Sequence, residues 1–281
     1  MTVSIAHLGP KGTFSDFAAA TYAHGLESQN PQLKTYATIA QAIKATEEGT
    51  TDFCVVPIEN SIGGGVTITL DTLWEIETLK IQQAFNLPVH HALISRAENL
   101  SDIQFIYSHP QALTQCREWL NTHTPWAKLI PTSSTTEPLP WLDEDMTKGA
   151  IASSWGAKLY GLPILAHPIN DFDGNSTRFW VLGQQPANHG KYTSMAFSLR
   201  SNEPGALLKP LQLFSVLNIN MSRIESRPTK KALGDYIFFV DVEASADDAA
   251  METALNLLKM HTATLRIFGS YEIKDIAQIS E

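Results

Sequence analysis

The strongest constraint on the fold of this chain is a rhythm. Over roughly its first 185 residues, short apolar runs alternate with runs of helical apolar spacing. Residues 3–8, 52–58, 80–87, 92–94 and 103–107 read as strands, and 128–131, 149–153 and 179–182 as shorter ones. Between them, 15–22, 39–48 and 67–76 read as helices; Ile39, Ala42, Ile43 and Ala45 mark one face of the second. A further helix is expected over 111–122, with Pro110 in a favourable first-turn position. Such alternation predicts α/β layers, whose ligands sit in loops at the carboxyl ends of strands. Pro138 and Pro140 interrupt the stretch after Ser134, which should be irregular or short-helical.

The polar, turn-rich residues 184–191 read as a linker, and the rhythm then changes. Strands are expected at 193–199, 219–226, 236–243 and 264–271, with helices at 205–217 and 246–260. That order, βαββαβ, predicts a compact α+β unit with two helices on one face of a sheet. Neither an internal repeat nor a low-complexity tract is present.

Composition excludes several function classes. The net charge is −9 and no Lys/Arg-rich block occurs, so nucleic acid is not an expected partner. No run of about 18 apolar residues suggests a membrane span, and the start lacks the pattern of a secretory signal; a cytoplasmic protein is expected. Cys54 and Cys116 read as reduced, buried thiols. The histidines show no metal-ligand spacing, and no metal is expected.

Six stretches bear on chemistry. GPKGTFS, residues 9–15, lacks the spacing of a nucleotide phosphate loop, leaving a plain turn with a Ser N-cap or an anion-holding turn using Lys11 and Thr13. PIENSIGGG, residues 57–65, clusters Glu59, Asn60 and Ser61 at a strand end before three glycines, as either a surface turn or a ligand loop. SHPQALTQC, residues 108–116, couples a strand end to a helix start; Ser108 or His109 would cap it, with Gln111 in the first turn. His109 there is a structural cap or a general acid. In DGNSTRFWVLG, residues 173–183, Asn175, Ser176, Thr177 and Arg178 crowd a strand entrance, and Arg178 suits a carboxylate or a buried salt bridge. ESRP, 225–228, and GALLKP, 205–210, hold no nucleophile–base pair, so the C-terminal unit reads as a binding or oligomerisation module.

Taken together, these motifs resemble the prephenate dehydratase family. GP-x-GT-[FY]-S, PIENS, SHPQ-A, N-x-TRF, GAL and ESRP stand in the expected order from Leu8 to Tyr271, and the C-terminal unit looks like an ACT domain. The resemblance implies conversion of prephenate to phenylpyruvate, CO2 and water in phenylalanine synthesis, with no cofactor. It also implies a catalytic domain at 1–184 of two lobes, like periplasmic solute-binding proteins, and an ACT regulatory domain at 192–275. Lobe one would combine about 1–78 with 165–183, and lobe two 79–164. Thr177 would be catalytic, donating a hydrogen bond to the leaving oxygen. Arg178 would hold the pyruvyl carboxylate. Asn60, Ser61, Thr13 and Lys11 would line the site, with Ser108 and Gln111 opposite and Phe179 packed behind it.

In the ACT domain the resemblance implies L-phenylalanine as a feedback effector, bound where two such domains meet. Gly205, Ala206, Leu207, Asn220, Glu225, Ser226, Arg227 and Pro228 would form that site, in a homodimer or homotetramer. The stretch 133–137, running into Pro138, departs from relatives that continue a helix there. The chain starts at its first strand, so the fused chorismate mutase helices of some relatives, and their activity, are not expected. Alternatives are an arogenate-preferring dehydratase, a non-catalytic solute-binding protein of the same two-lobed fold, or a pure amino-acid sensor.

Overall fold

A computed structural model describes residues 2–26, 30–143 and 145–276. The described residues form three sheets. At the centre of the first is β3 (Phe53–Asn60), in which Cys54, Val55, Val56 and Ile58 are wholly buried, as both faces of the sheet are covered. β1 (Ser4–Leu8) pairs parallel with β3 and with β2 (Gln32–Tyr36), an edge strand too polar to stand out in the sequence. The helices between them, α1 (Phe14–His24) and α2 (Ile39–Glu47), are N-capped by the Thr13 and Thr38 hydroxyls. Thr13, and not Ser15, is therefore the cap of the GPKGTFS turn.

The two-residue β4 (Gly64–Gly65) folds back on the end of β3, and α3 (Thr67–Glu75) follows it. β5 (Lys80–Pro88) then returns to the first sheet and pairs along its whole length with β11 (Ser176–Gly183), which lies antiparallel between β5 and β3. This corrects the expected lobe boundary at 78/79. Ile81, Ala84, Phe85 and Leu87 are buried in lobe one, and the chain crosses only after Pro88.

The second lobe's sheet runs β10 (Ile164–Ala166), β6 (His91–Ile94), β9 (Lys148–Ser153), β7 (Phe105–Ser108), β8 (Lys128–Pro131). Because β10 pairs with β6, residues 164–166 belong to lobe two, and the return crossing is 167–175. The helix expected over 111–122 divides at Cys116 into α4 (Pro110–Gln115) and α5 (Arg117–His123). Residues 139–142 form one 3-10 turn, and α6 (Ser154–Tyr160) starts directly at the end of β9.

The third sheet has the order β13 (Met221–Pro228), β14 (Tyr236–Val242), β12 (Tyr192–Leu199), β15 (Thr262–Tyr271). α7 (Leu208–Val216) and α8 (Ala249–His261) cover one face. Residues 205–207 precede α7 as a turn, with Gly205 at φ +78°, so the helix starts later than its periodicity suggests. The other face contributes Phe239, Phe268 and Tyr271 to a core shared with Ile43, Leu70, Leu73 and Trp180 of lobe one. A further strand, β16 (Ile273–Asp275), joins the first sheet beside β5, so these residues return to lobe one.

Candidate active site

The site is built at the end of β3 and the start of β11, where Asn60 and Thr177 stand opposite each other. The Asn60 carbonyl oxygen Oδ1 accepts from the backbone amides of Ile62 (3.1 Å) and Gly63 (2.8 Å), which fixes which way the amide faces. Its Nδ2 therefore donates, to Thr177 Oγ1 at 2.9 Å and to Asn175 Oδ1 at 2.8 Å. Ser176 O shares that nitrogen at 3.2 Å. Thr177 is 9% exposed. Its hydroxyl oxygen accepts from Asn60, and among the described residues its own proton has no acceptor, so it is left for a ligand.

Asn175, 1% exposed, donates in turn to Gln115 Oε1 at 3.1 Å. That oxygen also lies 3.0 Å from His91 Nε2. An amide oxygen only accepts, so His91 carries its proton on Nε2. Burial, the largest cause, lowers the His91 pKa to about 4, and the ring is neutral at ordinary pH. The chain of contacts thus passes from lobe two (His91, Gln115) through the return crossing (Asn175) to lobe one (Asn60, Thr177).

The GPKGTFS turn joins the lobes by another route. Gly12 N–H (2.9 Å) and Trp155 Nε1 of α6 (2.8 Å) both donate to Asp16 Oδ2, while Ser153 Oγ donates to Gly12 O at 2.7 Å. Gly12 has φ +84°, and a Cβ there would stand 3.1 Å from Gly156 Cα. The positive φ favours a glycine, and the close approach adds to the preference. Asp16 thus occupies the donors an anion would seek at this helix start. Thr13 Oγ1 is likewise engaged, donating to Pro10 O at 3.0 Å and accepting from Asp16 N, which corrects its assignment as a free substrate contact. Lys11 is exposed at the tip of the turn. Beneath the turn, buried His7 has its pKa lowered, chiefly by desolvation. Its Nε2 lies 3.5 Å from Asp16 Oδ1 but makes no hydrogen bond, so we read this contact as a neutral ring beside a carboxylate, not an ion pair.

Of the other expected contacts, Ser108 is corrected. Ser108 is wholly buried and donates to Ile151 O at 2.6 Å, joining β7 to β9; it does not face the cleft. His109 caps α4, its Nδ1 accepting from Gln111 N at 3.2 Å. Gln111 is exposed, and its amide reaches over Gly63, so α4 meets the PIENSIGGG loop. Phe179, 1% exposed, packs with Ala18 and Ala19 of α1 in the core behind Thr177. Ser61 straps the strand entrance, donating to Gly174 O and accepting from Ser176 N.

Arg178 departs most from expectation. Neighbouring residues on a strand face opposite sides of the sheet. Thr177 shares its side with Phe179 and Val181 of the α1 core, whereas Arg178 shares the other with Trp180. There its Nε donates to Asn86 Oδ1 at 3.2 Å, and it lines a 460 Å³ cavity with Glu59, Ser61, Ser176, Asp275 and, from the third sheet's domain, Ser222. The side chains of Arg178 and Thr177 thus face opposite sides of the sheet, and of the expected site residues it is Ser61 that shares the Arg178 cavity.

The expected effector residues are divided within one chain. β12 and β13 both run antiparallel to β14, so Gly205–Leu207 and Glu225–Pro228 lie toward one end of the third sheet. Asn220 precedes β13 at the opposite end, and an eight-residue strand spans about 26 Å. Ser226 lies on this edge strand, and Pro228 closes it. Glu225, accepting from Arg223 Nη1 at 3.1 Å, lies against Gly65 of the PIENSIGGG loop, so close that a Cβ there would displace its carboxylate. Arg227 forks onto Asp71 of α3 at 3.0 and 3.1 Å, so its guanidinium is engaged with lobe one.

With this geometry in view, the chain can be set beside known proteins. The prephenate dehydratase family profile matches residues 5–187, and that of the ACT domain residues 194–256. The chain belongs to the prephenate dehydratase family. It is 35% identical to the prephenate dehydratase of Lactococcus lactis subsp. cremoris, over 99% of this chain and 100% of that protein. It is 38% identical to the bifunctional chorismate mutase/prephenate dehydratase of Aquifex aeolicus, over 96% of this chain and 73% of that one. Among solved structures, the prephenate dehydratase of Arthrobacter aurescens in complex with L-Phe superposes with a TM-score of 0.87 at 33% identity. The match covers 96% of this chain and 90% of that one.

Within this prephenate dehydratase framework, sequence reasoning missed Gln115, His91 and Asp71. A signal for Gln115 existed: Gln111 and Gln115 stand four apart on one helix face, and only the first was singled out. Asp71 had no such signal, since its partner Arg227 lies 156 residues away.

Proposed function

We propose that this chain dehydrates and decarboxylates prephenate to phenylpyruvate in the cleft between its lobes, with Thr177 as the catalytic hydroxyl. The observation that carries the reading is the polarity of the Asn60–Thr177 contact. Asn60 donates to Thr177 Oγ1, so the threonine can only present its proton outward. Accepting one hydrogen bond also makes a hydroxyl a better donor in the next.

The chemistry then balances simply. The ring C–O bond breaks and the leaving hydroxyl, stabilised by the Thr177 proton, departs as water. The bond to the ring carboxylate breaks in the same sense, releasing CO2, and its electron pair completes the aromatic ring. An alcohol is too weak an acid to surrender its proton outright near neutral pH, so Thr177 donates a hydrogen bond and the proton itself comes through water. Binding should be tight at the pyruvyl carboxylate and loose at the scissile one, because gripping the latter would stabilise the ground state. Of the expected set, Lys11, Ser61 and Gln111 are exposed; Ser61 is tied to the strand entrance, and we assign Lys11 and Gln111 to the pyruvyl end.

L-Phenylalanine is the feedback effector in this reading, through the ACT domain. The separation of Asn220 from Gly205–Leu207 within one chain supports a site completed by a second copy, hence a homodimer or a dimer of dimers. Among the described residues no helix is long and apolar enough to cross a membrane. We place the enzyme in the cytoplasm, where its substrate would be made.

The test is to mix purified protein with prephenate, follow phenylpyruvate absorbance with and without L-phenylalanine, and repeat with arogenate. A higher kcat/KM for prephenate and inhibition by phenylalanine are expected; no turnover of either substrate would leave only a binding protein.

A further inference from the structure

The amide chain behind Thr177 is more extensive than hydroxyl positioning by Asn60 alone requires. Resting on the reading of Thr177 as the hydrogen-bond donor, we propose that Gln115 and His91 of lobe two are positioning residues that aim its hydroxyl through Asn175 and Asn60.

Three observations carry this. First, the chain has a single consistent polarity. His91 Nε2–H and Asn175 Nδ2 both donate to Gln115 Oε1, and Asn60 Nδ2 donates to Asn175 Oδ1 and to Thr177 Oγ1. The Gln115 oxygen holds the Asn175 amide in the orientation that offers its oxygen to Asn60. Without that acceptor, either face of Asn175 could meet Asn60, and an amide turned N-first would push it away.

Second, the chain lies where the backbone crosses between lobes. Val89 N on the outward crossing donates to Asn175 O on the return one at 2.8 Å. Asp171 N donates to Gln115 O at 2.9 Å, and His91 exchanges contacts with the same crossing through Ile169 N and Asn170 Oδ1. A change in lobe angle must therefore disturb the contacts that orient Thr177. The hydroxyl is aimed in the lobe arrangement seen here, which couples closure to catalysis.

Third, both residues are buried and turned toward each other, with Gln115 Oε1 taking His91 Nε2. His91 is 3% exposed and Gln115 8%. The His91 ring meets the edge of Phe14 at 5.6 Å, and its Nδ1 has no hydrogen-bond partner, as suits an unprotonated nitrogen. The imidazole thus serves as a fixed donor and not as a proton carrier.

The experiment is a mutant cycle on the full chain, reading kcat and KM for prephenate. Methionine fills the space of glutamine without an acceptor oxygen, so Gln115→Met should lower kcat about 10- to 100-fold, the scale of a misaimed catalytic group, with KM within about threefold. Gln115→Glu keeps an acceptor for both neighbours and should stay within about fivefold of the parent kcat. In a Thr177→Ala background, Gln115→Met should cost less than about twofold further, because there is no hydroxyl left to aim.

If Thr177→Ala alone turns over normally, the underlying reading of Thr177 fails. If Thr177→Ala is crippled but Gln115→Met costs the same factor in both backgrounds, or nothing in either, the positioning chain is refuted while Thr177 stands. Should Gln115→Met not fold, the chain is read from its far end. His91→Gln, which keeps an N–H donor, should then outpace His91→Phe in kcat at equal KM, and equal turnover in the two overturns the proposal.

Discussion

Lobe one is gripped from two sides, and the two grips differ in kind. Toward lobe two the hydrogen bonds centre on Asp16 with Gly12 and Trp155 and on Gln115 with Asn175, beside two aromatic contacts, Phe14 with His91 and Phe17 with Trp155. Toward the ACT domain an apolar core is continuous, with Trp180, Leu70 and Leu73 packed among Phe239, Phe268 and Tyr271. Ion pairs ring that core. Arg227 and Lys230 hold Asp71, and Arg266 reaches the Trp74 carbonyl and lies 4.9 Å over its indole ring. Lys80 also donates to Ile267 O at 2.8 Å.

An apolar seam of this sort resists separation, because parting it exposes hydrocarbon to water. A polar latch exchanges protein donors for water at little net cost. On this comparison, a closing motion would part the polar latch more readily than the apolar seam, and would carry lobe one and the ACT domain together. Effector signals would then enter lobe one through α3, which leads directly from the PIENSIGGG loop that carries Asn60.

The comparison can be broken at either grip. Asp16→Ala leaves the Gly12 amide and the Trp155 indole N–H without their shared acceptor, and lost hydrogen bonds to a charged group cost about 1.5–3 kcal/mol. We expect KM for prephenate to rise about 10- to 100-fold, more than kcat falls; an unchanged KM would mean that the latch does not govern closure.

Asp71→Asn attacks the other side. It should leave turnover without effector within about twofold while weakening inhibition by L-phenylalanine about five- to tenfold, within the usual range of coupling energies. Inhibition curves that superpose on those of the parent would remove α3 from the signalling route.

The smallest effect belongs to Arg178, which lies on the ACT-facing side of the sheet. Arg178→Lys should change KM for prephenate by less than about twofold, since the loss of a fork matters only where a carboxylate is bound. A large rise in KM would return Arg178 to the substrate and place the substrate carboxylate on that face.

What the sequence disclosed follows the same division. Asn60 and Thr177 were legible because each sits in a motif at a strand end, where ligand loops belong. The facing of Arg178 was legible in principle: consecutive residues of a strand point to opposite sides of the sheet, and the motif was read as a cluster. Ser108 and Thr13 were named for their hydroxyls, but whether a hydroxyl is already engaged depends on Ile151 O and Pro10 O, which the local pattern does not reveal. The lobe boundary moved because β5 is as apolar as any lobe-two strand, and only its pairing with β11 assigns it. The grip on α3 joins residues far apart in the chain, so no spacing rule reaches it.

The central claim is that an outward-pointing Thr177 hydroxyl drives departure of the leaving oxygen, and the contrast of Thr177→Ser with Thr177→Val tests it most directly. Serine keeps the hydroxyl and valine keeps the shape. Steady-state kinetics should show the serine enzyme within about tenfold of the parent kcat and the valine enzyme down by about 10²–10⁴, with KM little changed in both. A valine enzyme that turns over prephenate nearly as fast as the parent would contradict the account.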